Sequence, residues 1–144
     1  MTAMKNLQAL IDWFEHLSPA TVDRVLDFYA ANAEFKDPFN EVSGTPAIER
    51  IFRHMFDQVD VPRFVVTARF SGEDGAMLLW EFHFRTRGFG SQALCIQGAS
   101  HLRFDAAGRI AEHRDYWDAA GELYARLPLI GAPMRLLLRQ GAAR

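Results

Sequence analysis

The sequence is poor in cysteine and has no long apolar segment. Cys95 is the single cysteine among 144 residues, which excludes an internal disulfide framework and any site built from several thiolates. No apolar run approaches the length of a membrane span, and acids interrupt the apolar pattern of the N-terminal segment, unlike a signal peptide. We therefore expect a cytoplasmic protein without a membrane span.

A strong charge of either sign is also missing. The formal net charge is −2 and the pI is near 6.2. The chain therefore lacks the excess of basic residues that binds nucleic acid or anionic lipid. The composition, 49% hydrophobic and 24% charged, is typical of a globular domain, and twelve phenylalanines supply large apolar side chains. The length fits one domain, which we place at residues 1–127, with a tail at 128–144.

Apolar residues recur at helical spacing three times in the first 58 residues. The second of these segments begins with Ser18 as the predicted cap and Pro19 in the first turn, and the third begins with Thr45-Pro46. The predicted buried stripes are Leu7, Leu10, Ile11, Phe14 and Leu17; Val22, Val25, Leu26 and Tyr29; and Ile48, Ile51, Phe52, Met55 and Phe56. Three N-terminal helices follow, with a short strand before the third.

From Arg63 onward the apolar pattern changes to a period of two. Four segments rich in β-branched and aromatic residues are separated by short turns that contain glycine. Such short connections predict an antiparallel meander, and the segregation of helices from strands predicts the α+β class. We expect a bent sheet that wraps over the three helices.

The tail, residues 128–144, allows two interpretations. Met134 and the three leucines 136–138, flanked by Arg135 and Arg139, would suit a basic amphipathic helix on a membrane surface. They would equally suit a C-terminal helix that packs on its own domain or on a partner subunit. We favour the second because the apolar run is short.

The stretch "AEFKDPFNEVSG", residues 33–44, places the carboxylate of Asp37 directly before a proline and between Phe35 and Phe39. A carboxylate in apolar surroundings costs several kcal/mol unless it is protonated or partnered. Asp37 is therefore either a functional acid or a brace for the turn, as aspartates often are.

The element order, together with "YAANAEFKDPFN" and "HLRFDAAGRIAEHRDYW", resembles the ketosteroid isomerase and SnoaL-like branch of the nuclear transport factor 2-like superfamily. The resemblance covers most of residues 7–117. It implies a cone-shaped sheet that encloses a pocket, with Asp37 as the general base. At the positions of the isomerases' two oxyanion donors this chain has Trp13 and Ser100, which can each donate a hydrogen bond.

The last strand adds His113 and Asp115, which share one face with Ala111 and Trp117 by strand alternation. The resemblance implies that this face lines the pocket, and an acid on this strand is a feature of SnoaL-like polyketide cyclases and limonene epoxide hydrolases. We expect Asp37, Asp115 and His113 to be catalytic. The expected substrate-binding residues are Trp13, Ser100, Trp117, Phe52 and Phe39. The other interpretation is that His113 and Asp115 form a structural ion pair.

In "LLWEFHF" the alternation separates Leu79, Glu81 and His83 from Trp80, Phe82 and Phe84. We assign the three aromatic residues to the outer face of the sheet, where so large an apolar patch predicts a homodimer. For Glu81 and His83 we favour solvated residues or partners of Arg103 over the alternative that they reach the pocket. A metal bound by His113, Asp115 and Glu81 is conceivable, but these residues lack a diagnostic spacing, and we expect no metal.

Two functions follow from these observations. In the first, an acid removes a proton next to the carbonyl of a small hydrophobic compound, and His113 or Asp115 returns a proton or holds the oxyanion. No cofactor motif is present in the sequence, and we expect none to be needed. In the second, the pocket or the sheet serves only to bind a ligand or to form a dimer. No nucleic acid is expected in either case.

Overall fold

The computed structural model describes residues 2–88, 90–127 and 130–143. Helices and strands are segregated, and the strands form a curved six-stranded sheet that does not close, which confirms the α+β cone. The helices are α1 (Thr2–Glu15), α2 (Val25–Phe28), α3 (Thr45–Gln58), α4 (Ala119–Glu122) and α5 (Gly131–Gly141), with 3₁₀ turns at Val22–Arg24 and Tyr124–Arg126. The strands are β1 (Tyr29–Lys36), β2 (Glu41–Ser43), β3 (Val59–Gly72), β4 (Gly75–Thr86), β5 (Ala93–Phe104) and β6 (Ile110–Trp117).

The sheet order is β2-β1-β6-β5-β4-β3, and β3 to β6 form the predicted antiparallel meander. The pair β1–β6 is parallel, with Phe35 opposite His113 and Lys36 opposite Arg114. Local patterns do not predict this pair, because about half of the chain separates the two strands. The pairing brings the end of β1 beside the end of β6.

The second predicted helix is much shorter than expected. It consists of a 3₁₀ turn and a single α-helical turn, and β1 begins at Tyr29. Leu26, predicted to be buried, is 57% exposed, whereas Tyr29 is fully buried as a strand residue. Pairing with β6 therefore overrides the helical pattern in this segment.

The core lies between the helices and the concave face of the sheet. The third predicted helix is confirmed as α3, with Pro46 in its first turn and Ile48 and Phe52 buried. From α1, Leu10 and Phe14 are buried against the same core. Burying side chains of this size contributes roughly 1.5–3 kcal/mol each.

The prediction that Trp80, Phe82 and Phe84 face outward is wrong. Trp80 and Phe84 are buried and Phe82 is half-buried, with Phe82 stacked on Phe64 at 4.5 Å between ring centroids. The alternation itself is correct, but the helices cover the aromatic face because it offers more apolar surface to bury. The three aromatic residues therefore give no argument for a dimer.

A C-terminal helix is present, as predicted, and α5 packs on its own domain through its first turns. Gly131 is buried, and the Arg135 guanidinium donates to the carbonyl of Ala125 at 2.5 Å. Leu136, Leu137 and Leu138 are exposed. The predicted boundary after Leu127 adjoins residues 128 and 129, which lie outside the described residues. No helix in the described part of the chain is long and apolar enough to cross a membrane.

Candidate functional site

A cleft of about 630 Å³ opens where β1 ends beside β6. The last residue pair of the two strands is Lys36 with Arg114, after which β6 continues while the chain turns away at Asp37. The residues that line the cleft are Lys36, Asp37, Pro38, Arg114, Asp115, Tyr116, Trp117 and Asp118. The parallel pairing thus brings Asp37 and Asp115 to one cleft.

His113 lies behind Asp115 and supports it. The His113 Nε2 atom is 2.6 Å from Asp115 Oδ1, and the imidazole is buried while the Asp115 side chain is 18% exposed. The imidazole also packs on Phe35, with 4.7 Å between ring centroids. Asp115 is therefore the member of this pair that reaches the cleft.

Tyr29 makes a hydrogen bond to the other ring nitrogen of His113. Its hydroxyl is 2.6 Å from His113 Nδ1, and it is fully buried. Burial raises the pKa of Tyr29 well above 10.0, and the charge of Asp115 raises it further. A carboxylate only accepts, so His113 Nε2 carries the proton donated to Asp115, and in the neutral imidazole Nδ1 then accepts from the Tyr29 hydroxyl.

A second chain of donors reaches the same oxygen. The Ser100 hydroxyl donates to Asp115 Oδ1 at 2.5 Å, and the Trp80 indole Nε1 donates to Ser100 Oγ at 2.8 Å. A side chain at Gly98 would place its Cβ 2.4 Å from the Trp80 ring, so glycine is required for this close approach. Both chains stabilise the charged carboxylate, and no residue described by the structure donates to Asp115 Oδ2.

Asp37 lines the cleft, but its carboxylate is engaged with its own turn. Its Oδ1 atom accepts from the backbone N–H groups of Phe39 and Asn40 at 2.8 and 2.7 Å, and from the Asn40 side chain at 3.1 Å. Asn40 Nδ2 also lies 3.2 Å from Oδ2. This arrangement braces the connection between β1 and β2 in the way aspartates stabilise turns.

Trp13 and Phe52 lie in the core instead of lining the cleft. The Trp13 indole donates to the carbonyl of Thr21 at 2.9 Å, and its ring stacks on Phe28. Phe52 packs edge-on against Trp13 with 5.7 Å between ring centroids. The donor that the resemblance implied at Trp13 is therefore already used by the backbone.

Aromatic side chains meet at one side of the cleft. Phe39 packs against Trp117 with 5.5 Å between ring centroids and against Tyr124 with 6.1 Å. Phe39 is 55% exposed, so this aromatic group is open to solvent. The group forms an exposed apolar surface beside the cleft.

Glu81 and His83 lie on the outer face of β4, opposite the side that carries His113 and Asp115. The register explains this: the inward residues Trp80 and Phe82 alternate with them along the strand. The metal set of His113, Asp115 and Glu81 considered above cannot assemble, because the sheet separates its members.

Two residues of this site were missed by the sequence analysis. Tyr29 was assigned to a helical stripe, and Trp80 was assigned to the outer face. Alternation from Ala33 to Phe35 was a signal for a strand in this segment, but it does not reach Tyr29, because Ala30 is buried, Ala31 is exposed and the register with β6 shifts between Tyr29 and Glu34.

With this geometry established, comparisons place the chain among known proteins. The family model described as the SnoaL-like domain matches residues 10–113, which is most of the chain. The chain belongs to the SnoaL-like domain family. A search of the curated proteins found no match.

Solved structures agree with the SnoaL-like assignment at the level of the fold. A candidate SnoaL-like polyketide cyclase from Jannaschia sp. CCS1 superposes with a TM-score of 0.74 at 14% identity, covering 92% of this chain and 93% of that one. A hypothetical protein with a ketosteroid isomerase-like fold from Catenulispora acidiphila DSM 44928, in complex with trimethylamine, gives 0.70 at 14% identity, with coverages of 85% and 92%. AclR, a candidate hydroxylase from Streptomyces galilaeus, gives 0.68 at 16% identity, with coverages of 89% and 100%.

Proposed function

We propose that this SnoaL-like protein binds a small hydrophobic carbonyl compound in the cleft and that Asp115 acts as its general base. One observation carries the proposal. Two series of buried hydrogen bonds, which end at His113 and at Ser100, meet at Asp115 Oδ1. Asp115 is the residue of this network that lines the cleft. A fixed carboxylate whose second oxygen has no donor among the described residues is suited to accept a proton.

In the proposed reaction, Asp115 Oδ2 takes a proton from the carbon next to the carbonyl. The C–H electron pair moves into the substrate to form an enolate, and Asp115 becomes a carboxylic acid. Return of the proton to a conjugated carbon gives isomerisation, and exchange of the Asp115 proton with solvent before its return gives hydrogen exchange. Ring closure follows if the enolate carbon attacks a second carbonyl of the substrate and Asp115 gives its proton to the new alkoxide oxygen. None of these steps needs a cofactor. Lys36 and Arg114 also line the cleft, and although strand alternation directs both side chains to the outer face, opposite Asp115, they add positive charge at longer range for the enolate oxygen.

The remaining site residues have supporting roles in this proposal. His113 and Ser100 position Asp115 and do not touch the substrate, because their polar atoms are occupied within the network. Trp117 and Phe39 provide apolar contact. Asp37 shapes the cleft wall, while Trp13 and Phe52 support the core behind it.

The relatives support the substrate class. Several structures with this fold are candidate polyketide cyclases, and polyketides carry carbonyl groups next to acidic C–H bonds. The support for this proposal is the agreement between the fold and the chemistry of the cleft.

Hydrogen–deuterium exchange tests this function. The α-protons of small hydrophobic ketones would be followed by NMR in D₂O with wild type, Asp115→Asn and Asp37→Asn. Because general base catalysis typically contributes about 10²–10⁴-fold, we expect Asp115→Asn to lose exchange by that order and Asp37→Asn to retain most of it. Equal rates in wild type and Asp115→Asn, or a loss confined to Asp37→Asn, would overturn the assignment of the base.

The non-catalytic alternative makes a different prediction in the same experiment. If the ketones quench the fluorescence of Trp117 on binding but show no exchange above the buffer rate, the cleft is a binding site without chemistry. Trp117→Phe serves as the control that assigns the fluorescence change to the cleft.

We also propose that the protein forms a homodimer through the outer face of the sheet. Phe70, Leu79 and Tyr116 are 59%, 40% and 47% exposed, and strand register places all three on that face. Light scattering should give twice the chain mass for wild type and the chain mass for Leu79→Arg. A monomeric wild type at all concentrations tested would contradict this proposal.

A further inference from the structure

The outer face of β4 and β5 brings together three side chains of the types that bind metals. Glu81 and His83 alternate on β4, and Cys95 is paired directly with His83 across the two strands. His83 Nε2 is 3.1 Å from Glu81 Oε1 and 3.8 Å from Cys95 Sγ, and one ligand atom from each residue lies within 4.8 Å of the others. All three residues are half-buried.

We propose that Glu81, His83 and Cys95 bind a single Zn²⁺ ion on the outer face of the sheet. Carboxylate, imidazole and thiolate are all zinc ligands, and tetrahedral zinc requires separations of roughly 3.4 Å between nitrogen and oxygen and roughly 3.6 Å between nitrogen and sulfur. The two measured separations from His83 differ from these by a few tenths of an ångström. Small rotations of the side chains would therefore complete the site.

The strands give this site a rigid base. Alternate residues of one strand and the facing residue of its neighbour project from the same side of a sheet, so the backbone brings the three side chains together before an ion binds. Three protein ligands leave the fourth position to water, because His83 and Cys95 pair beyond the end of β6, at the end of the outer face away from Phe70 and Tyr116. Binding replaces the thiol proton of Cys95, which passes to solvent, and no redox step is involved.

The surroundings also hold Cys95 in place. Arg126 donates to the backbone carbonyl of Cys95 at 2.9 Å and to the carboxylate of Glu122 at 2.8 Å. This clamp ties the segment after α4 to the start of β5. Glu122 and Glu81 provide negative charge near the thiol, which favours a cation there, while Arg126 opposes it.

This inference is independent of the proposed function. Glu81 and His83 lie on the face of the sheet opposite to Asp115 and His113, so their loss should not change proton exchange at the cleft. The two proposals can therefore fail separately.

Cobalt substitution tests the zinc site in the full chain. Co²⁺ would be titrated into the reduced protein while the near-ultraviolet thiolate-to-cobalt charge-transfer band and the visible bands of tetrahedral Co²⁺ are recorded, followed by competition with Zn²⁺. We expect one equivalent of Co²⁺ to bind and Zn²⁺ to displace it. Absence of the charge-transfer band in wild type would overturn the proposal.

Variants distinguish a three-ligand zinc site from a chance contact between these side chains. Cys95→Ser should abolish the charge-transfer band, and His83→Asn or Glu81→Gln should weaken Zn²⁺ binding by more than about tenfold, since even outer-shell changes cost 10–100-fold. His101→Asn is the matched control, because His101 lies on the same outer face of β5. Unchanged affinity in His83→Asn, or an equal loss in His101→Asn, would contradict the assignment.

Thiol reactivity gives a second readout that does not depend on cobalt. Saturating Zn²⁺ should slow alkylation of Cys95 in wild type and leave the rate nearly unchanged in His83→Asn and Glu81→Gln. Equal protection in all three proteins would mean that the ion binds the thiol without the other two ligands, which would overturn the three-ligand site.

Discussion

Two acid and histidine pairs in this molecule have the same spacing but opposite surroundings. His113 and Asp115 alternate on β6 and face inward, with the imidazole 4% exposed and an Nε2 to Oδ1 distance of 2.6 Å. Glu81 and His83 alternate on β4 and face outward, with side chains 35% and 37% exposed and 3.1 Å between Oε1 and Nε2. The strand position decides which pair is buried.

Burial determines the chemistry of each pair. Inside, every polar atom of His113 needs a partner, so Tyr29 and the acid fix its orientation and its proton. Outside, water competes with the ion pair, which is worth little to stability. The inner pair is suited to hold a carboxylate for proton transfer, whereas the outer pair is free to rearrange around an ion.

Truncating each histidine gives the largest expected contrast. His113→Ala leaves the Tyr29 hydroxyl buried without a partner and opens a cavity, so we expect a loss of about 3 kcal/mol in the free energy of unfolding. His83→Ala at the outer face should cost less than about 0.5 kcal/mol. Urea unfolding of both variants, with metal chelated, measures the difference, and similar losses would contradict the contrast.

Removing only the inner hydroxyl should have a smaller effect. Tyr29→Phe preserves the ring and deletes one buried hydrogen bond to His113, which corresponds to about 1–1.5 kcal/mol. Tyr116→Phe, on the outer face, is the matched control and should be nearly neutral. A neutral Tyr29→Phe would show that the hydroxyl contributes nothing to the network.

High pH should destabilise the wild type through the same residue. The pKa of Tyr29 is raised in the folded state, so its stabilising contribution is present below 10.0 and is lost as pH rises above that value, where only the unfolded phenol ionises. Between about pH 8 and about pH 10.5 we expect wild type to lose roughly 1 kcal/mol more than Tyr29→Phe. Parallel curves for the two proteins would contradict the raised pKa.

The smallest expected effect concerns Cys95 in the absence of metal. Burial raises the pKa of this thiol, and Glu81 and Glu122 raise it further while Arg126 lowers it. Glu81→Gln should therefore lower the pKa and speed alkylation near neutral pH, by less than about tenfold. Slower alkylation in Glu81→Gln with a chelator present would show that the carboxylate does not act on the thiol.

Much of the fold was predictable because it is recorded in local periodicity. The helical stripe of α3 and the alternation of β3 to β6 both follow from residues close together in the chain. The parallel pairing of β1 with β6 does not, since it joins Phe35 to His113 across most of the sequence. Tyr29 was assigned to a helix for this reason: only the tertiary partner reveals its strand.

The candidate site was predictable in part for a similar reason. Alternation puts His113 and Asp115 on one face, but it cannot say which face of β4 the helices cover, so Trp80 was assigned to the wrong side. Which hydrogen bonds an acid accepts is equally invisible in the sequence. Asp37 and Asp115 are both aspartates near the cleft, and only the structure shows that the first is engaged by its own turn.

The direction of the hydrogen bonds within the inner pair is the central claim, and ¹⁵N NMR of the imidazole of His113 measures it directly. At a pH near 8, wild type should show His113 protonated at Nε2 and unprotonated at Nδ1, because the Tyr29 phenol donates to Nδ1. A proton on Nδ1 under these conditions would contradict the account, since the donor chain from Tyr29 through His113 to Asp115 would then not exist.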